Sequence, residues 1–215
     1  MKRSFLLTLG ICLTALVASA QLEGSKEVYS APDLKGKIAL HKTVAILPFS
    51  ATISYKRLPK NYNDDANKEE EKNLSTSLQS SMYTFLLRKT DNYTCSFQDI
   101  GRTNALLKQS GVYDKIDELT QDSLCKILKV DAVIQCKYAY EKTASEGGAI
   151  AKTILFGGIG SKTGSGELTL QIYNGVDGAL LWRFYKAMDD NVFASTDQLI
   201  EHMMRKVSRN FPYSK

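Results

Sequence analysis

The chain has 215 residues, of which 28 are lysine or arginine and 23 are aspartate or glutamate, so its net charge is +5. Nucleic-acid binding normally needs a focused basic face, whereas here the mild excess is spread along the whole length. The sequence therefore predicts no nucleic-acid partner. Only two histidines occur, with no other plausible ligand close in sequence, which gives no support for a zinc site.

The first twenty residues predict a signal peptide. Lys2 and Arg3 form a charged start, residues 5–17 form an apolar run, and Ala-Ser-Ala at 18–20 supplies the small-x-small cleavage pattern. The apolar run is short for a membrane span, so we expect cleavage before Gln21 and export. Cleavage removes two basic residues and no acids, which lowers the net charge to +3 and leaves enough chain for one α/β domain.

The domain is predicted to begin at residue 43. Residues 21–42 form a polar lead-in, which we interpret as a strap or a loosely held arm. The apolar run at 43–49 suits a strand buried on both faces and ends in Pro-Phe. A polar loop follows over 54–66, and the pattern Asn67-x-x-Glu70 predicts the start of a helix.

That helix carries one apolar stripe, formed by Leu74, Leu78, Met82, Phe85 and Leu86. A half-buried strand is predicted at 93–97, since its residues alternate in polarity. Asp99 is placed to cap a short helix that Gly111 ends. A further helix at 120–128 leads directly into a strand at 130–140, and Asp131 at this corner is placed to satisfy backbone donors.

The last third of the chain begins with a glycine-rich loop at 143–166. The segments 168–173 and 180–185 are then predicted to pair as a hairpin across a turn at 174–178. A final amphipathic helix starts at residue 195 or 196, and Pro212 stops it. This order of elements predicts one α/β (α+β) domain, with a mixed sheet of about five strands and helices packed on it.

Three motifs in this order carry a family resemblance: Ile46-Leu47-Pro48-Phe49, the segment 128–134, and the hairpin at 172–182 with its Asp177-Gly178 turn. Their arrangement resembles the envelope superfamily that includes the periplasmic domain of the curli-secretion channel, the outer-membrane activators of peptidoglycan synthases and the amino-terminal domain of the Tol-system translocation protein. The resemblance covers roughly residues 42–210. It implies a recognition fold that serves different envelope partners. The family usually has glycine near Lys129.

The sequence predicts no catalytic, cofactor-binding or metal-binding residues. No Gly-x-Ser-x-Gly motif occurs, and we interpret His41 and His202 as solvated or capping side chains. The three cysteines outside the signal peptide have no Cys-x-x-Cys spacing, which leaves one bridge plus a free thiol, or three buried thiols, with the buried thiols preferred. The resemblance implies that Cys95 and Cys136 are unbridged. Phe49 and Trp182 are expected in the core.

The glycine-rich loop 143–166 is the best candidate for a functional segment. It holds an apolar patch between flexible flanks, and its possible contacts with a partner or a membrane are Ile150, Ile154, Leu155 and Phe156. The patch is short for a membrane-spanning hairpin, which needs two strands of about 9–11 residues. The loop at 54–66 is the second candidate contact surface, since binding residues concentrate on loops held by a rigid scaffold.

These observations predict a non-enzymatic protein of a bacterial envelope that binds another envelope protein or assembly. Its predicted location is the periplasm, with an association with the outer membrane left open. Two alternatives remain. One is an oligomeric outer-membrane secretion or assembly component, whose apolar patch meets lipid. The other is an exported hydrolase with a site assembled from distant residues. The oligomeric state stays open.

Overall fold

The computed structural model describes residues 25–142, 164–188 and 196–215. Its helices are α1 (Leu34–Ile38), α2 (Asp64–Leu87), α3 (Ile100–Gln109), α4 (Gln121–Leu128) and α5 (Thr196–Val207). Its strands are β1 (Lys26–Ser30), β2 (Thr43–Ile46), β3 (Ser50–Tyr55), β4 (Ser96–Phe97), β5 (Ala132–Lys142), β6 (Gly164–Asn174) and β7 (Leu180–Met188). Short 3₁₀ turns lie at Thr90–Asn92 and Tyr113–Glu118.

The strands form one mixed sheet in the order β1-β7-β6-β5-β2-β4, and β3 also pairs with β5. The pairs β2–β4, β2–β5 and β3–β5 are parallel, and the remaining pairs are antiparallel. The predicted α/β mixed sheet is therefore confirmed, with seven described strands rather than about five. β1 lies in the polar lead-in and β3 extends into the predicted loop. Neither strand carries the long apolar run by which a buried strand is recognised.

Helices cover both faces of the sheet, and β5 shows the division because its side chains alternate between them. Ile134 and Cys136 lie in the larger core, which also receives α2 and α5. Val133 faces the smaller core, which receives α3 and α4. Phe49 and Trp182 are both buried in the larger core, as predicted. The predicted apolar stripe of α2 is likewise fully buried there.

Polar side chains of α2 run along the outer edge of β3 and the residues that follow β2. We call this set the α2 ladder; its members recur every four residues and are Asn67, Glu71, Ser75 and Gln79. At its first turns Glu71 accepts a hydrogen bond from the backbone N–H of Ile53, with 2.7 Å between nitrogen and Oε1. The Asn67 side-chain amide donates to the carbonyl of Ile53 at 3.1 Å. Both outward groups of Ile53 are thus satisfied without a neighbouring strand.

The same ladder continues beside the break between β2 and β3. The Ser75 hydroxyl donates to the carbonyl of Phe49, and the Gln79 amide donates to the carbonyl of Ile46 at 2.9 Å. Pro48 ends β2 here, as predicted, and the chain leaves the strand direction before β3 resumes it. The break leaves these two carbonyl groups without hydrogen bonds to a strand, and side chains of α2 satisfy them instead.

The start of α2 differs from the prediction. Asn63, not Asn67, is the capping residue, and its side chain accepts a hydrogen bond from the N–H of Ala66 at 2.9 Å. The predicted loop at 54–66 is therefore shorter: β3 reaches Tyr55, α2 begins at Asp64, and the connection is 56–63. The sequence pattern favoured Asn67 because Glu70 stands three residues after it, as in a capping box. In the structure Glu70 pairs with Lys142 instead.

The β4 edge of the sheet lies beside the carboxyl terminus. Only Ser96 and Phe97 form the predicted strand, as β4. Tyr93 instead forms a bridge with Ser214, and the N–H of Thr94 donates to the carbonyl of Tyr213 at 2.9 Å. The strand predicted at 93–97 is therefore confirmed only at its last two residues, because the residues before them pair with the chain terminus rather than with the sheet.

The predicted corner at Asp131 is confirmed. Its Oδ2 accepts hydrogen bonds from the backbone N–H groups of Lys42 and Thr43, both at 2.8 Å, and so joins the start of β5 to the start of β2. The predicted hairpin turn is also confirmed, and Gly178 has the positive φ of 66° that the turn needs.

His41 is buried, so its interpretation as a solvated or capping residue was wrong. Its Nδ1 lies 2.8 Å from the Tyr213 hydroxyl and its Nε2 lies 3.1 Å from Oδ1 of Asn174. Asn174 donates its amide to the Asp177 carboxylate at 2.7 Å, which leaves Oδ1 as the atom facing the imidazole. His41 therefore donates from Nε2 and accepts the Tyr213 proton at Nδ1. This network joins the start of β2 to the hairpin turn and the carboxyl terminus.

Lys129 is the one described non-glycine residue with a positive φ, at 57°, and it ends α4. A side chain in this left-handed region is strained, whereas glycine is not. We expect Lys129→Gly to raise the free energy of unfolding by about 0.5–1 kcal/mol, measured by urea denaturation. Lys129→Ala is the control, since it removes the charge and keeps the strain. A gain of stability in the alanine variant equal to that in the glycine variant would contradict this explanation.

Candidate interaction surface at one end of the sheet

Both loops that the sequence marked as candidate contact surfaces leave the sheet at the same end. Tyr55, at the end of β3, pairs with Lys142, at the end of β5, and Lys142 pairs with Gly164, at the start of β6. The end of β7 at Met188 and the start of β1 at Lys26 lie at this end too. We call this the loop end of the sheet. The parallel pairing of β3 with β5 is what brings the two loops together.

A buried ion pair braces the loop end. The Lys142 ammonium lies 2.8 and 2.9 Å from the two carboxylate oxygens of Glu70, and the Lys142 side chain is only 5% exposed. The Tyr55 hydroxyl lies 3.2 Å from the same nitrogen, which also sits 5.0 Å from the centre of the Tyr55 ring. These contacts join β5, β3 and α2 at the point where the segment 143–163 begins. This pair could not be predicted from the sequence, because its members are 72 residues apart.

Two of the glycines in the predicted glycine-rich loop are strand residues with a packing role. Gly164 and Gly166 are the first and third residues of β6. A Cβ atom at Gly166 would lie 2.7 Å from the Tyr138 hydroxyl, and one at Gly164 would lie 2.7 Å from the Tyr140 ring. The two tyrosine rings stack at 6.4 Å between centroids, with 9° between their planes. These glycines therefore leave room for an aromatic layer on β5 that stiffens the loop end.

The described connection from β3 to α2 presents both charge and apolar surface to solvent. Lys56, Arg57 and Lys60 are exposed, and Leu58 between them is 69% exposed. Tyr62 packs edge-on against Tyr55, with 5.6 Å between ring centroids, and so attaches this connection to the braced strands. An exposed leucine among basic side chains is suited to contact with an acidic surface that also has apolar groups.

The predicted contact residues Ile150, Ile154, Leu155 and Phe156 lie outside the described residues. Their two flanks, Lys142 and Gly164, are adjacent in the sheet, so the segment leaves and re-enters the domain at one point. The role of these four residues as contacts stays a prediction.

The groove between α2 and α5 brings serine, histidine and aspartate side chains near one another, and these are the residue types of a hydrolase triad. The Ser81 hydroxyl donates directly to the Asp197 carboxylate, whereas a catalytic triad places the imidazole between these two groups. Glu201, also in the groove, accepts a hydrogen bond from Arg88 at 2.8 Å and lies 3.6 Å from Nε of Arg205. The groove therefore holds paired charges and lacks the geometry of an activated nucleophile.

The cysteines also lack the properties of a nucleophilic or redox site. Cys95, Cys125 and Cys136 are unbridged and buried. Burial raises the pKa of the Cys95 and Cys125 thiols to about 12, and it raises the pKa of Cys136 as well. The thiols are therefore protonated at neutral pH, and the thiolate is the reactive form. Within residues 25–142, 164–188 and 196–215, no group of three or more histidine, cysteine or acidic side chains is placed to hold a metal ion.

Comparison with solved structures finds similar folds in several bacterial proteins. The lipoprotein GNA1162 from Neisseria meningitidis has a TM-score of 0.44 and 11% identity, over 79% of this chain and 98% of that one. PelC from Paraburkholderia phytofirmans, a dodecamer, has a TM-score of 0.36 and 10% identity, over 89% and 99% of the two chains. The LpoB C-terminal domain from Salmonella enterica has a TM-score of 0.34 and 10% identity, over 73% and 93%.

All three TM-scores are below 0.5, so no residue role and no partner is carried over from them. No protein-family model matches the sequence, and a search of curated proteins finds no match. In the described part of the chain no helix is both long and apolar enough to cross a bilayer.

The Lys142–Glu70 pair gives a prediction for stability. Glu70→Gln would leave a buried ammonium ion without its counter-charge, so we expect the free energy of unfolding to fall by about 3 kcal/mol. Glu69→Gln, at the neighbouring exposed position, should change it by less than about 0.5 kcal/mol. Urea denaturation of both variants measures the difference. Equal midpoints for the two variants would show that the pair does not brace the loop end.

Proposed function

We propose that this protein is an exported, non-enzymatic protein of the cell envelope that binds another envelope protein through its loop end. The observation that carries the proposal is that the 56–63 connection and the two strand ends flanking residues 143–163 lie at one end of the sheet, which the Lys142–Glu70 pair braces. Binding surfaces are commonly built from loops that a rigid scaffold positions. Export rests on the predicted signal peptide. The proposal also places the exported chain in the periplasm, where it can contact the outer-membrane surface.

The chemistry of the loop end supports a partner with an acidic and partly apolar surface. The described connection offers three exposed basic side chains around Leu58. Ile150, Ile154, Leu155 and Phe156 would extend the apolar part of this contact from the neighbouring segment. Charged rims raise association rates and select partners, while buried apolar anchors supply most of the affinity. We therefore assign Leu58 and the four apolar residues as anchors and the basic residues as the rim.

Site-specific photo-crosslinking in the exporting cell tests this proposal. A photo-reactive residue at position 58 should capture one discrete partner. The matched control is position 176 in the hairpin turn, since Val176 is 85% exposed but lies at the opposite end of the sheet. Reversal of the rim, by Lys56→Glu with Lys60→Glu, should reduce capture at position 58 at least several-fold, because it reverses the charge facing the partner.

Three outcomes would contradict the proposal: no capture at position 58, equal capture at positions 58 and 176, or capture that charge reversal leaves unchanged. A chain that stays in the cytoplasm would contradict export. Fractionation of the same cells reports the location, so a failure of export and a failure of binding are distinguished in one preparation.

A further inference from the structure

The strand β1 is an exposed edge of the sheet. It pairs with β7 on one side, and all five of its residues, Lys26–Ser30, are exposed. Val28 is 42% and Tyr29 is 49% exposed, although both are types that favour buried sheet positions. Among the described residues no backbone hydrogen bond reaches the outer side of this strand. An edge of this kind can pair with another strand.

Two backbone hydrogen bonds at the ends of β1 fix which backbone groups point outward. The N–H of Ala187 donates to the carbonyl of Ser25 at 3.0 Å, and the N–H of Ala31 donates to the carbonyl of Leu181 at 2.8 Å. In an antiparallel pair, alternate residues bond to the partner strand. Glu27 and Tyr29 therefore bond to β7, since they lie two and four residues after Ser25. The N–H and C=O groups of the even-numbered residues, at 26, 28 and 30, point away from the sheet.

The other edges of the sheet lie against further parts of the chain, and Phe97 on β4 is buried. The α2 ladder takes both outward groups of Ile53 on β3, and the carboxyl-terminal residues pair with the chain before β4. Within the described ranges β1 thus differs from the other edges in having neither a helix nor a terminal segment against it. The sheet can be extended at one edge, which limits pairing to a closed dimer rather than an open chain of molecules.

We propose that β1 pairs with β1 of a second copy of this chain, antiparallel and around a two-fold axis at Val28. Residue 26 then lies opposite residue 30 of the second copy, and the two Val28 residues lie opposite each other. These are the hydrogen-bonded positions, so every outward N–H and C=O of the strand finds a partner. Glu27 then lies opposite Tyr29 of the second copy at a non-hydrogen-bonded position.

The charges of the strand favour this register over its neighbours. With the axis at Val28, Lys26 faces Ser30 and Glu27 faces Tyr29, so no like charges are opposed. A shift of the axis to residue 27 would place two glutamates directly opposite and would lose one hydrogen-bonded pair. A shift to residue 29 would lose a pair as well. The sequence Lys-Glu-Val-Tyr-Ser is therefore self-complementary in the register that also forms the most hydrogen bonds.

Disulfide trapping tests the register directly. Cα atoms at a non-hydrogen-bonded antiparallel position are about 4.5 Å apart, within the range that a disulfide spans. Glu27→Cys mixed with Tyr29→Cys under mild oxidation should give a covalent dimer containing one chain of each kind. Either variant alone should give none, since its two cysteines would be offset by two residues, roughly 7 Å along the strand. The three natural cysteines are buried and serve as an internal background.

Sedimentation equilibrium tests the dimer without cysteines. The exported chain should be a reversible dimer with a micromolar dissociation constant, because a single edge buries less surface than a standard interface. Val28→Pro removes an outward N–H and leaves the bonds to β7, so it should weaken the dimer at least tenfold. Val28→Thr keeps the N–H and the branched shape and should not. Thermal melting of both variants confirms that they fold.

A monomer in sedimentation with no mixed disulfide would overturn the proposal and point to a strand of another protein at this edge. A dimer that Val28→Pro leaves intact would also overturn it. A disulfide in either single variant would refute the register. The test is independent of the loop end, since β1 pairing and partner capture at position 58 are measured separately.

Discussion

The α2 ladder is the constraint on which the rest of this fold depends. Backbone N–H and C=O groups at the edge of a buried strand must be satisfied, and here a helix does this in place of a strand. Four polar side chains at intervals of four residues lie on one side of α2, next to the apolar stripe that enters the core. One helix therefore both fills the core and closes the sheet, which fixes its position along the strands.

Closure of that edge determines where the molecule can make contacts. β3 is held between β5 and α2, so its loop leaves at the same end as the segment that follows β5. The Lys142–Glu70 pair ties this end to α2 at the residue next to the ladder residue Glu71. At the far side of the sheet, within the described ranges, β1 has no such cover. The two surfaces that we propose, one for a different protein at the loop end and one for a second copy at β1, both follow from this asymmetry.

Sequence reasoning succeeded where the signal is local. The stripe of α2, the Asp99 cap, the Asp131 corner and the Gly178 turn each depend on residues within a few positions of one another, and all are confirmed. The wrong prediction of the residue that caps α2 was also local, since Asn63 and Asn67 are four residues apart and both are residues that can cap a helix. The seven-strand sheet exceeded the prediction because β1 and β3 are polar, and their pairing partners lie far away in sequence.

The candidate sites depended on tertiary contacts that one sequence does not reveal. His41 is buried, and its hydrogen-bond partners are an asparagine and a tyrosine more than 130 residues away in sequence. The role of Glu70 was hidden in a run of three glutamates, of which one pairs with a lysine and one joins the ladder. The meeting of the two loops needs the parallel pairing of β3 with β5. The contact role of the segment with Ile150 and Phe156 stays a prediction.

The most direct test of the ladder is hydrogen exchange at the backbone amide of Ile53, followed by NMR. This amide points away from the sheet, and Glu71 is its partner, so we expect it to exchange as slowly as a paired strand amide. Glu71→Ala should then speed its exchange about tenfold or more, while the Lys56 amide, bonded to the carbonyl of Lys142, stays unchanged. Exchange of the Ile53 amide at the rate of an exposed edge, or no response to Glu71→Ala, would contradict this account.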